Sequence, residues 1–143
     1  MVSYNKSKIN EGGVVMIKKD ISQLHLPERF VRKLKQDVAY LLGYPNIEIE
    51  QIILFGSCAR GNYKVTSDID LLMITKESLE RYIRGDISSE LEEEVEQVST
   101  DIVFYSNKIF QEADSLFIKQ VKQDGIIIYD QKDKSIGGDY AAK

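Results

Sequence analysis

Apolar residues recur at helical spacing between residues 27 and 42 and predict the first long helix. Pro27 stands near the start of this segment and Gly43 follows its end, and both residues favour these positions at helix termini. The apolar positions are Phe30, Val31, Leu34, Val38, Leu41 and Leu42. Because they share one side of the helix, we expect that side to pack on a core.

Two shorter apolar segments in the middle of the chain are typical of buried strands. Residues 52–55 are apolar and stop at Gly56, as a short buried strand does. Beginning at residue 68, acidic and apolar side chains alternate. This period of two places Asp68 and Asp70 on the same face of a second strand.

The rest of the chain is predicted to alternate between helices and strands. The expected helices span residues 77–84, 89–98 and 107–123, and the expected strands span residues 100–105 and 126–129. Ser89 and Glu92 have the spacing of a capping box at the start of the second of these helices. The third has one apolar side, which we expect to cover the sheet. That side is formed by Ile109, Phe110, Ala113, Leu116, Phe117 and Val121.

Length and composition limit the chain to one domain. Its 143 residues are 43% hydrophobic, which is enough for one core and too little for two. We divide it into an N-terminal extension over residues 1–20 that could be flexible, a folded domain over residues 21–130 and a flexible polar tail over residues 131–143. The sequence has no long apolar segment and no signal peptide, and its single cysteine, Cys58, suits a reducing compartment. We therefore expect a cytoplasmic protein without a membrane contact.

The charge pattern argues against a nucleic-acid partner. The net charge is −4, and no basic stripe interleaved with aromatic residues is visible. Such a stripe is the electrostatic footprint of proteins that bind nucleic acid. We therefore expect no nucleic-acid template.

The turn and the acidic strand in the middle of the chain carry candidate chemistry. Gly56 allows a close backbone approach, and Ser57 stands where a helix is expected to start, so that its hydroxyl can cap the helix or face a phosphate. Asp68 and Asp70 would repel each other unless a cation lies between them. Mg²⁺ takes one or two protein carboxylates and completes its shell with water and phosphate oxygens. Asp101, in another strand-like segment, could complete the site.

These residues form a pattern that resembles the nucleotidyltransferase superfamily of the DNA polymerase β type. The matching residues are Gly56, Ser57, Ala59, Arg60 and Gly61, followed after a gap by Ser67, Asp68, Ile69, Asp70 and Leu71. Within the superfamily the pattern is most similar to the minimal nucleotidyltransferase group of antitoxins. The resemblance covers roughly residues 50 to 130 and implies an α+β fold. In that fold a small mixed sheet is flanked by helices on one side and binds ATP and Mg²⁺ at its open face.

The resemblance also implies roles for individual side chains. Gly56 and Ser57 would hold the nucleotide phosphates, while Asp68 and Asp70 would bind the metal. Asp101 would be the third carboxylate of the metal site and the candidate for activating the acceptor hydroxyl. All three carboxylates are therefore candidate catalytic residues.

Two further residues of the pattern have more than one interpretation. Arg60 could neutralise phosphate charge, or it could brace the turn by pairing with an acid such as Asp68 or Asp70. Ser67 could bind the nucleotide, or it could make a local turn bond.

The function implied by the resemblance is transfer of AMP from ATP to a hydroxyl group, with release of pyrophosphate. In the antitoxin group the acceptor is a tyrosine of a partner protein, a HEPN-type toxin that the reaction silences. Two alternatives stay open: an aminoglycoside-type enzyme that modifies a small molecule, and an antitoxin-like module that only binds its partner. The sequence leaves open the acceptor, the base preference and whether a homo-oligomer forms.

Overall fold

A five-stranded mixed sheet organises the chain. The structure is a computed structural model that describes residues 9–10 and 13–137. The strands are β1 (Ile9–Asn10), β2 (Gly13–Val14), β3 (Ile17–Lys18), β4 (Ile49–Phe55), β5 (Ile69–Thr75), β6 (Thr100–Ser106) and β7 (Ile126–Asp130). The helices are α1 (Glu28–Gly43), α2 (Ser57–Arg60), α3 (Arg81–Glu92), α4 (Asn107–Glu112) and α5 (Leu116–Asp124), with a 3₁₀ helix over Ile21–Gln23. No helix in this part of the chain is long and apolar enough to cross a lipid bilayer.

The strand order brings distant parts of the chain together at one edge of the sheet. The order is β3-β7-β4-β5-β6, and β1 and β2 form a separate antiparallel pair. β4 lies at the centre and is antiparallel to both β7 and β5. β5 and β6 are parallel, so the chain crosses over between them through α3. The parallel strands β5 and β6 begin at the same edge of the sheet. The antiparallel strand β4 ends at that edge, so its end lies beside the starts of β5 and β6.

Helices cover both faces of the sheet. Ile52 and Leu54 of β4 belong to a buried cluster shared with α1 and α3, whereas Ile53 belongs to a second cluster shared with α4 and α5. Successive side chains of a strand point to opposite faces, so the two helix groups lie on opposite sides. The mixed α+β class agrees with the prediction, but the expectation of helices on one side only is wrong. Since β4 and β5 are apolar on both faces, both faces need cover.

The segment after β5 differs from the predicted pair of helices. α3 runs from Arg81 to Glu92, across the expected break between residues 84 and 89. Ser89 therefore lies inside a helix, and the predicted capping box does not form. Ile87 and Leu91 explain the continuity, because both are buried and their spacing of four residues places them on one side of α3.

Residues 93–98, predicted as helix, form a tight turn instead. A backbone bridge joins Val95 to Val98, and Glu96 and Gln97 between them have φ values of 52° and 68°. Val98 is fully buried. The turn thus returns the chain to the core in an extended conformation just before β6 begins.

Two helices replace the single one predicted over residues 107–123. α4 ends at Glu112 and α5 begins at Leu116. The Ser115 hydroxyl accepts a hydrogen bond from the backbone N–H of Ile118 at 3.2 Å and so caps α5. A serine that binds backbone N–H groups in this way favours a new helix start over a continuous helix.

The structure also differs from the expected domain division at both ends. Ile17 and Lys18, placed in the extension by the sequence, form β3 and pair with β7. In the segment expected to be a flexible tail, Ile136 is buried and the backbone N–H of Gly137 donates to Asp20 Oδ1 at 3.0 Å. The backbone N–H of Gln131 also donates to the Glu50 carbonyl at 2.8 Å, so this segment is docked on the domain. Residues 1–8, 11–12 and 138–143 of these segments lie outside the described residues.

A buried ion pair joins α1 to the rest of the core. Lys33 Nζ donates to Asp37 Oδ1 at 2.7 Å and to the carbonyl of Leu91 at 2.9 Å. The other Asp37 oxygen accepts a hydrogen bond from the Thr100 hydroxyl at 2.6 Å. Lys33 and Asp37 are only 2% and 4% exposed, so each depends on the other for compensation of its charge. The pair thereby connects α1, the end of α3 and the start of β6.

Removing one partner of this pair tests its contribution to stability. We expect Asp37→Ala to lower the free energy of unfolding by about 3–5 kcal/mol, because it leaves the Lys33 ammonium buried without a countercharge. The matched control is Glu28→Ala, which breaks the exposed Glu28–Arg32 pair on the same helix and should cost less than about 1 kcal/mol. Urea denaturation of both variants gives the comparison, and equal losses would contradict the assignment.

Candidate active site

The pairing of β4 with β5 sets Gly56 directly against Asp70. Phe55, the last residue of β4, is the register partner of Asp70. Gly56 follows with φ 76° and ψ −158°, a conformation that is essentially restricted to glycine. A Cβ atom added to Gly56 would overlap Oδ2 of Asp70. The phosphate turn and the acidic strand predicted from the sequence are therefore in contact.

The turn after Gly56 is a single helical turn. The N–H groups of Ala59 and Arg60 donate to the Gly56 carbonyl at 3.1 and 3.0 Å, and Gly61 ends the turn in the left-handed conformation. The predicted helix start at Ser57 agrees with this geometry. A helix of four residues sums few peptide dipoles, so an anion here would depend on backbone N–H groups and on the Ser57 hydroxyl.

Ser67 packs against this turn from the following loop. Its hydroxyl accepts a hydrogen bond from the backbone N–H of Lys64 at 2.8 Å. This is the local turn bond, one of the two interpretations that the sequence left open for Ser67. The same oxygen lies 3.4 Å from the Ser57 hydroxyl, which donates to it.

Cys58 follows Ser57 in the turn and is buried, and this burial raises the pKa of its thiol to about 11. A thiol with its pKa raised in this way is mostly protonated at neutral pH, and the protonated form is a poor nucleophile.

The three candidate carboxylates lie near one another at the starts of β5 and β6. Asp70 is the register partner of Asp101 on the neighbouring parallel strand, and Asp68 precedes β5 by one residue. Asp70 is half-buried, whereas Asp68 and Asp101 are exposed. Burial, reinforced by the charges of Asp101 and Asp68, raises the pKa of Asp70 to about 6, and the charge of Arg60 opposes this rise. The site thus concentrates negative charge that a bound cation would neutralise.

The donor atoms of this site suit Mg²⁺, although protein atoms alone do not enclose an ion. Among the described residues, no group of three or more His, Cys, Asp or Glu side chains is arranged to hold a metal. Mg²⁺ is commonly bound through one or two carboxylates and takes its other ligands from water and phosphate. The carboxylates of Asp70 and its two acidic neighbours therefore fit a cation that arrives with a nucleotide. Their assignment as metal ligands stays a prediction.

Arg60 pairs with an acid that the sequence did not suggest. Its guanidinium lies 4.0 Å from Asp124 Oδ2, at the end of α5, rather than in an ion pair with Asp68 or Asp70. Both side chains are partly exposed, so the pair is weak. Asp124 is more than sixty residues away in the chain, and only the packing of α5 beside the end of β4 reveals this partner.

A cleft of about 190 Å³ opens beside the turn, between the end of β4 and α5. It is lined by Phe55, Gly56, Arg60, Phe117, Gln120, Val121 and Asp124. The sequence placed Phe117 on the side of the helix that covers the sheet, but its side chain is 40% exposed at the cleft. Apolar spacing alone does not distinguish a core position from the wall of a cleft.

These features define the class of the protein. Backbone N–H groups at a turn can bind an anion, and carboxylates beside them can bind Mg²⁺ together with phosphate oxygens, so the geometry is compatible with a nucleotide site. The family model described as Polymerase beta, Nucleotidyltransferase matches residues 36–134. This match covers more than half of the chain, and the protein belongs to that nucleotidyltransferase family. The resemblance inferred from the sequence is thereby confirmed.

One curated relative and two solved structures are similar to this chain. Over 47 residues the chain is 38% identical to a candidate protein adenylyltransferase of Methanocaldococcus jannaschii, a match that spans 33% of this chain and 44% of that relative. A toxin–antitoxin structure with AMP-PNP has a TM-score of 0.51 at 20% identity, covering 77% of this chain and 81% of that one. The structure of a candidate nucleotidyltransferase from Sulfolobus solfataricus has a TM-score of 0.50 at 23% identity. The match covers 71% of this chain and 80% of that one. The two solved structures share the fold of this protein.

The contact between Gly56 and Asp70 can be tested by adding a methyl group. We expect Gly56→Ala to destabilise the fold through both backbone strain and overlap with the carboxylate. Gly61→Ala isolates strain alone, since φ is 87° but nothing lies within 4 Å, and should cost about 1–3 kcal/mol. Gly85→Ala, inside α3 with open space around it, should stabilise by about 0.5–1 kcal/mol. A loss for Gly56→Ala no greater than for Gly61→Ala, measured by urea denaturation, would contradict the contact.

The raised pKa of Asp70 predicts a pH-dependent stability cost. Below its ordinary pKa of 3.8 the carboxyl is protonated in both the folded and unfolded states, whereas above about 6 the folded state holds an unfavourable charge. We therefore expect Asp70→Asn to raise the free energy of unfolding in metal-free buffer, by more at about pH 7.5 than at about pH 4. The matched control is Asp114→Asn, the same substitution in the exposed loop between α4 and α5. Parallel pH profiles for the two variants would refute the prediction.

Proposed function

We propose that this protein is a Mg²⁺-dependent nucleotidyltransferase that transfers AMP from ATP to a hydroxyl group of a partner protein. The partner would be a HEPN-type toxin, and the modification would make this chain its antitoxin. The observation that carries the proposal is the contact of the Gly56 turn with Asp70, beside Asp101 on the next strand. This arrangement would hold a triphosphate on one side of the carboxylates and leave the other side open for an acceptor.

Each element of the site has a role in this reaction. The Gly56 backbone and the Ser57 hydroxyl would bind the phosphates, and the glycine, which lacks a side chain, admits the Asp70 carboxylate beside them. Mg²⁺ held by Asp68, Asp70 and Asp101 would neutralise the charge that develops on the phosphates and on the leaving pyrophosphate. Asp101 is exposed at the start of β6 and would accept the proton of the attacking hydroxyl. The acceptor oxygen then bonds to the α-phosphorus while the bond to pyrophosphate breaks.

A protein acceptor is supported by the relatives and by the charge of the chain. The M. jannaschii relative is named as a candidate protein adenylyltransferase, and a solved structure of similar fold is a toxin–antitoxin with AMP-PNP. The net charge of −4 offers no attraction for a nucleic-acid template. These observations favour AMP transfer to protein over template-directed synthesis.

Transfer of radioactive α-phosphate tests the proposal. The protein is incubated with labelled ATP and Mg²⁺ in a lysate of the source organism, and labelled proteins are separated from labelled small molecules. We expect one labelled protein band, lost in Asp68→Asn and Asp70→Asn because each removes a charge that the metal requires. Asp114→Asn serves as the matched control and should retain the band.

The other outcomes separate the alternatives. Label found only in small molecules would favour the aminoglycoside-type enzyme. If the wild type and both site variants gave the same background labelling while the wild type still bound its partner, the enzyme assignment would be wrong. The protein would then be a non-catalytic antitoxin-like binding module.

A further inference from the structure

The cleft between the end of β4 and α5 adjoins the phosphate turn, and the residues of α5 that line it have none of the roles given above. We propose that it binds the base of the nucleotide and that Gln120 makes it prefer adenine to guanine. This inference rests on the proposed function, because it extends the same nucleotide site. Gly56 and Arg60 line the cleft and also belong to the turn, so a nucleotide whose phosphates meet the turn would reach the cleft with its other end.

The dimensions of the cleft suit a flat ring system. At about 190 Å³ it is smaller than the pockets of roughly 300–1,000 Å³ that enclose a whole drug-sized ligand. A base would enter it, whereas the sugar and phosphates would remain outside, next to the carboxylates. The cleft and Asp70 lie on the same side of the sheet, because Asp70 pairs with Phe55 and the Phe55 side chain packs with the α4 and α5 cluster.

An aromatic wall is available for stacking. The Phe117 ring is held edge-to-face by Phe55, with ring centroids 5.4 Å apart and an interplanar angle of 83°. Phe117 nevertheless remains 40% exposed, so part of its ring is accessible to a ligand in the cleft. Bases stack readily on such rings, since every base offers a π-face.

Gln120 forms a polar wall of the cleft, and a hydrogen bond within α5 orients its side chain. Gln120 Nε2 lies 2.5 Å from Asp124 Oδ2. A carboxylate only accepts hydrogen bonds, so the amide NH₂ must face Asp124 and the amide oxygen points away from it. That oxygen accepts from the 6-amino group of adenine, whereas guanine has a second acceptor, O6, at the same position. Asp124 Oδ2 also lies 4.0 Å from the Arg60 guanidinium, so Gln120 and the phosphate turn share this neighbour.

A tryptophan placed in the cleft provides a direct probe. The chain contains no Trp, so Phe117→Trp introduces a single indole whose fluorescence a stacked base would quench. We expect quenching on titration with ATP and Mg²⁺ and none with inorganic tripolyphosphate, which has no base. GTP should bind about tenfold more weakly than ATP, as a mismatched hydrogen bond predicts.

Calorimetric titration of ATP into matched variants separates the contributions of the two walls. Phe117→Ala should weaken ATP binding about tenfold, and Phe117→Tyr, which keeps the ring, should restore it. Gln120→Leu should remove the preference for ATP over GTP. The controls are Leu116→Ala and Gln123→Leu, exposed positions on the same helix that do not line the cleft.

The outcomes distinguish this inference from the proposed function. If ATP binds the wild type but its affinity and base preference are unchanged in the Phe117 and Gln120 variants, the base lies elsewhere and the inference fails alone. If a partner-protein side chain occupies the cleft instead, the variants will impair partner binding and leave ATP binding unchanged, which also overturns it. If no nucleotide binds to the wild type, both the proposed function and the inference fail.

Discussion

The antiparallel pairing of β4 with β5 is the constraint on which the site depends. Its register sets Phe55 opposite Asp70, so the chain leaves β4 at Gly56 with no room for a side chain beside the carboxylate. The parallel pairing of β5 with β6 then adds Asp101 at the same edge. Backbone hydrogen bonds therefore fix the spacing between turn and acids, and a slip of one residue would turn these carboxylates toward the opposite face.

The site carries features that oppose stability. Gly56 has a strained conformation, and the carboxylate of Asp70 is half-buried beside two like charges. Both features are compatible with the binding of a nucleotide and a cation, which would relieve the repulsion among the carboxylates. The surrounding core compensates for them. The buried pair of Lys33 and Asp37 holds the start of β6 through Thr100, next to the position of Asp101.

The predictions of secondary structure were correct where the apolar pattern along the chain matches the side chains that pack in the core. α1, β4, β5 and β7 follow apolar patterns that the core confirms. The predicted helix over 89–98 failed because acidic composition and a capping-box spacing are local signals, whereas the burial of Ile87, Leu91 and Val98 is decided by the sheet. The prediction of a single helix over residues 107–123 failed for a related reason, since the apolar spacing continues across Ser115 while its hydroxyl caps a new helix.

The sequence by itself determined the family pattern, because the glycine turn and the alternating acids are short segments whose geometry is set by local backbone preferences and strand periodicity. Tertiary structure decided everything that depends on distant segments meeting. These features are the pairing of Arg60 with Asp124, the cleft lined by Phe117 and Gln120, and the raised pKa of Asp70. Contact, burial and electrostatic coupling depend on distance in space, and a linear pattern does not specify that distance for residues far apart in the chain.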